Sequence, residues 1–162
     1  MPRRSAHRIK ARMTLRGGEI SNMGNLALAV GIHLSLVSTA DGGRSGPVLN
    51  LEGRHWSYRP NWGLPSMTPP EQTGGPVFSF SRPEIAPGES CYAVIVPIFP
   101  EMQPTWRREA VPGAVLPMYE GSRVCGHGRV LHRFECHVPI SEEDEARFQR
   151  WLDDPCADSS QA

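Results

Sequence analysis

Sixteen glycines and sixteen prolines punctuate this 162-residue chain, and they constrain its fold more than any other feature. A helix interior is weakened by glycine and broken by proline, whereas short strands joined by tight turns use both. The length supports one hydrophobic core with some excess at the ends. Between the turn residues lie runs that read as strands. Val30, Ile32, Leu34 and Leu36 fall on one parity, the period-2 sign of a half-buried strand. Asp41-Gly42-Gly43 reads as a turn, and Val48-Leu49-Asn50-Leu51 opens a second strand. A loop rich in proline and polar residues follows from Pro60 to Gly75, and Pro76-Val77-Phe78-Ser79-Phe80 forms a third strand.

The second half continues in the same style. Ile85-Ala86-Pro87-Gly88-Glu89 has the shape of a turn before a buried strand, the apolar run Cys91–Val96. Pro97 to Pro112 reads as a loop, and Ala114–Tyr119 as the next strand. From Val124 to Cys136 the even positions are expected inside, including Gly126, Gly128, Val130, Phe134 and Cys136. The odd positions, among them Cys125, His127, Arg129, Leu131, Arg133 and Glu135, are expected largely in solvent. One helix is expected near the end. Ser141 caps it, acids fill its first turn where the helix dipole favours them, Phe148, Trp151 and Leu152 share a face, and Pro155 stops it.

Charge is neutral overall, so the balance calls for neither nucleic acid nor membrane. Its distribution is uneven. Residues 1–16 carry six basic side chains and no acid, while 142–158 carry seven acids against Arg147 and Arg150. Residues 1–25 therefore read as a basic, poorly ordered arm, 26–139 as the folded domain, and 140–162 as a short helix with an acidic tail. The run Leu26–Val37 followed by Ser38-Thr39-Ala40 imitates a secretory signal. It begins late, contains His33, and coincides with the first strand, so a cytoplasmic protein is expected. Four cysteines without a short-spaced framework agree with a reducing compartment. No run reaches the length of a membrane span.

Three blocks in register resemble the C-terminal, third domain of elongation factor Tu. Asp41-Gly42-Gly43-Arg44-Ser45-Gly46-Pro47 is similar to its first strand-to-strand turn, and Tyr58-Arg59-Pro60-Asn61-Trp62 to its Y-R-P-Q-F segment. Tyr119-Glu120-Gly121-Ser122-Arg123, running into Val124–Leu131, is similar to its closing strand pair. The resemblance implies an all-β fold, a small closed antiparallel barrel of about six strands spanning residues 29–137, with one short C-terminal helix. It also implies a non-catalytic binding module associated with translation, because in that family the barrel helps hold the T-stem backbone of aminoacyl-tRNA and meets protein partners. The residues that would carry RNA or partner contact are Arg44, Ser45, Arg59, Asn61, Glu120, Gly121, Ser122 and Arg123. Arginines and turn amides bind phosphates, and a carboxylate accepts from a ribose hydroxyl or guanine amine. Asn61 stands where the family has glutamine, and Ser122 departs from its G-G-R turn. The alternative is a protein–protein interaction module with no RNA role.

Other chemistries fit less well. The family's GTPase activity belongs to a separate domain, and with Lys10 as the sole lysine this chain contains no phosphate-loop motif, so no nucleotide is expected. Cys125, His127, His132, Cys136 and His137 crowd into thirteen residues but alternate across a strand, and no C-x-x-C pair exists. No metal, no cofactor and no catalytic residue are therefore expected.

Overall fold

The computed structural model describes residues 25–51 and 54–157. The basic arm expected before residue 25 lies outside the described residues, as does the end of the acidic tail. In chain order the strands are β1 (Asn25–Leu36), β2 (Val48–Leu49), β3 (Asn61–Trp62), β4 (Thr73–Gly74), β5 (Val77–Phe80), β6 (Glu84–Ile85) and β7 (Ser90–Ile95). A 3-10 turn (Pro100–Met102) runs into helix α1 (Gln103–Glu109), followed by β8 (Val115–Glu120), β9 (Arg123–Val138) and helix α2 (Glu142–Asp153).

Seven strands form one antiparallel sheet in the order β4-β3-β8-β9-β1-β7-β5, and β2 pairs with β6 apart from it. This corrects the expectation of a closed six-stranded barrel. The regions at the two ends of the sheet touch through an isolated bridge between Tyr58 and Val77, not through a ladder. Proline thins the pairing there. The Val77 N–H donates to the Tyr58 carbonyl at 3.0 Å and the Gly75 N–H to the Pro60 carbonyl at 3.3 Å, but Pro60 has no N–H to return, and β3 and β4 are two residues each.

The sheet is buried on both faces. On one, Leu28, Val30, Ile32, Leu34 and Leu36 of β1 join Trp62, Ile95, Leu116, Met118 and Trp106. On the other, Ala27 and Ala29 pack with Phe78, Val94, Phe134 and Cys136 beneath Phe148, Trp151 and Leu152 of α2. Gly31 makes room for that helix, since a Cβ there would lie 2.8 Å from the Trp151 ring. The Ser141 hydroxyl caps α2 as expected, accepting from the Asp144 N–H at 3.1 Å.

Two further expectations are corrected. The loop Pro97–Pro112 contains a helix, α1, which places Trp106 in the core. Pro104 stands in its first turn, where a missing N–H costs nothing. In β9 the even residues from Gly126 to Cys136 are buried or half-buried, as expected, yet they divide between faces. Gly31 pairs with His132 and Ile32 with Val130, so Leu131 is an inserted bulge residue. Val130 therefore faces one core and Phe134 the other. A second shift, with Met118 opposite Gly126 and Tyr119 opposite Val124, turns Cys125 inward, against the expectation of solvent.

Candidate functional site

The expected recognition residues lie mostly around one turn region, held by bonds among themselves. After β1, the Ser38 carbonyl accepts from the N–H of Asp41 (3.1 Å) and of Gly43 (2.8 Å), and the Ser38 hydroxyl donates to Asp41 Oδ2 at 2.7 Å. Gly42 has φ +93°, and a side chain at Gly43 would collide with the Val37 carbonyl. This turn aims Arg44 at β8. Its guanidinium donates to Glu120 Oε1, to the Gly46 carbonyl (3.1 Å) and to the Pro47 carbonyl (3.3 Å). It also lies over the Tyr58 ring, 5.6 Å from the centroid. The Tyr58 hydroxyl donates to the same Glu120 oxygen at 2.6 Å. Burial pushes the Tyr58 phenol up to about 12, against the opposing pull of Arg44.

Arg123 reaches the Gly43 carbonyl at 3.5 Å. Asn61 donates to Gln72 Oε1 at 2.9 Å, and Gln72 donates in turn to the Gly121 carbonyl at 3.0 Å. Ser45, Gly121, Ser122 and Arg123 are exposed. Arg44, Asn61, Glu120, Gly121 and Arg123 are thus joined within one end of the molecule. The charges of Arg44 and Glu120 are spent on each other, which leaves Arg123 as the exposed cation of the expected set at this end.

Arg59 is elsewhere. It lines a cavity of about 670 Å³ with His55, Trp56, Pro76, Phe78, Ile98, Val138, Pro139, Ile140 and Glu145. Phe78 anchors its aromatic wall: the His55 ring stacks on it at 4.1 Å and Trp56 meets it edge-on at 5.0 Å. Phe148 of α2 supports Phe78 from behind at 5.5 Å. Trp56 has φ +66°, a left-handed backbone unfavourable for a bulky residue by about 1 kcal/mol or more. Its carbonyl accepts from Arg59 Nε at 3.2 Å, which helps hold it there. His55 bonds the Phe78 carbonyl at 3.2 Å and Glu145 Oε1 at 2.8 Å, tying this loop to α2.

A neighbouring cavity of about 360 Å³, lined by Asn25, Leu26, Ala27, Pro97, Pro100 and Gln103, shares Ile98 and Val138 with the first. Together they make one mainly apolar trough. Of its residues the sequence reading singled out Arg59. The unused signal was Arg54-His55-Trp56 in a turn region, an aromatic with no strand to bury it.

Among the described residues no group of three or more His, Cys, Asp or Glu gathers as a metal-holding cluster. Burial pushes the Cys91 and Cys136 thiols up to about 12. No described helix is long and apolar enough to cross a membrane. No protein-family model matches the chain, and no curated protein matches it.

Proposed function

We propose that this protein is a non-catalytic binding module that engages a protein partner through the Trp56–Phe78 trough. One observation carries the reading: a mainly apolar concavity of about 670 Å³, with a strained aromatic at its wall and a cation at its rim. Concave apolar sites with few polar groups are where ligands bind. Elsewhere, the pairing of Arg44 with Glu120 withdraws two of the residues that an RNA surface would use. The reading includes a cytoplasmic setting, supported by four unpaired cysteines.

A second reading, tRNA binding as in elongation factor Tu, draws on the exposed Arg123, Ser122 and Ser45. One experiment separates the two. The immobilised full chain is used to capture material from extract of its source cells, with and without ribonuclease, beside Ile98→Asp and Arg123→Glu variants. The trough reading expects a ribonuclease-resistant protein that is lost with Ile98→Asp and kept with Arg123→Glu. Ribonuclease-sensitive retention, abolished by Arg123→Glu, would replace it with the RNA reading.

A further inference from the structure

Even-numbered residues of β1 direct their main-chain groups towards β7. The Leu36 N–H donates to the Glu89 carbonyl at 2.9 Å, and the Leu36 carbonyl accepts from Gly88 at 3.1 Å. β7 ends at Ile95, opposite Val30, and Pro97 has no N–H with which to continue the ladder. From Ala29 back to Asn25, β1 is paired by strand β9 alone. A side chain fills the first gap: Gln103 Oε1 accepts from the Leu28 N–H at 3.0 Å, and Gln103 Nε2 donates to the Pro97 carbonyl at 2.5 Å. By the same alternation Leu26 points its N–H and C=O at the open edge, where they meet no partner among the described residues.

That edge lies in the trough. Leu26 is 59% exposed and Ile98 43%, an apolar stretch beside the unpaired main chain. At the other end the charges are unequal. His55 and Glu145 pair with each other, whereas Arg59 uses only Nε, leaving both Nη groups without a partner among the described residues.

Building on the binding role proposed above, we infer that the trough receives an extended, acidic–apolar peptide segment of the partner. Its main chain pairs with Leu26, apolar side chains lie against Ile98, Val138 and the Trp56–Phe78 wall, and a carboxylate forks onto Arg59. Strand addition supplies main-chain bonds and alternate side-chain pockets supply selectivity. The planar guanidinium matches a carboxylate in two parallel bonds. A ribose–phosphate chain finds a cation here but no use for the apolar walls.

The test pans a phage-displayed random dodecapeptide library against the immobilised full chain. Enriched peptides are then titrated on Arg59→Glu, Ile98→Asp and Arg123→Glu, with thermal melts checking that each variant folds. Enriched peptides should combine apolar residues with Asp or Glu. Their affinity should fall at least tenfold on Arg59→Glu and on Ile98→Asp, and hold on Arg123→Glu. Peptides without acids, or peptides that bind all three variants like the parent, would overturn this inference while leaving a binding module in place. Failure to enrich any peptide would also overturn it. A photo-cross-linking residue, Ile98→p-benzoylphenylalanine, then reads the occupant: a cross-link to a second copy or to the chain's own residues 1–24 would overturn the assignment to a partner segment.

Discussion

The Tyr58 hydroxyl and Glu120 meet at 2.6 Å across 62 residues of sequence, and Arg44 closes the set by bonding the same carboxylate and covering the Tyr58 ring. Three blocks that sequence alone read as a recognition surface are thereby locked together as a structural joint. Removing the phenol oxygen leaves Glu120 still bonded to Arg44, so Tyr58→Phe should cost about 1 kcal/mol. Arg44→Ala strips the carboxylate of its cation and should cost roughly 2 kcal/mol. Urea unfolding of both variants and the double mutant should show the losses to be non-additive.

Tyr58 also sets an alkaline limit. Its pKa rises from 10.0 to about 12 because burial penalises the phenolate. The folded value lies above the unfolded one, so its stabilising contribution is complete below pH 10 and is lost as pH climbs towards 12. Ultraviolet titration of the native protein, with the Tyr58→Phe titration subtracted, should give a phenol midpoint near 12. A midpoint near 10 would mean that Tyr58 is not buried as described.

The turn that aims Arg44 depends on Gly43. Any side chain there meets the Val37 carbonyl, so the backbone itself must move. Gly43→Ala should cost about 3 kcal/mol, in the range of steric strain at a constrained backbone position. Gly46→Ala, with open space around it, is the control and should change the thermal midpoint little.

Thiol accessibility checks the two buried faces. Cys91, Cys125 and Cys136 are buried and Cys156 is exposed. At pH 8 one thiol per chain should react quickly with Ellman's reagent, and Cys156→Ser should remove it. Three fast thiols in that variant would mean that the sheet is not covered as described.

Strands were legible wherever side-chain period alone decided them. β1, β7 and β8 coincide closely with apolar runs, and the Ser141 cap with the start of α2. The closed barrel was not, because closure depends on which backbone donors remain near Pro60 when the ends meet, a long-range matter. The faces of β9 were obscured by bulges at Cys125 and Leu131: one inserted residue reverses every later side chain, and no local residue type announces it. α1 was hidden by Pro100 and Pro104, which stop a helix in its interior yet suit its first turn. The trough was least legible of all, since Trp56, Phe78, Ile98 and Glu145 come from four separate parts of the chain.

The most direct test of recognition at the trough is hydrogen–deuterium exchange of the full chain, alone and bound to the partner that it captures. Slowed exchange should fall on residues 26–28 and 55–59, with residues 41–46 and 120–123 unchanged. Protection confined to 41–46 and 120–123 would contradict the trough and return recognition to the Arg44–Arg123 turns.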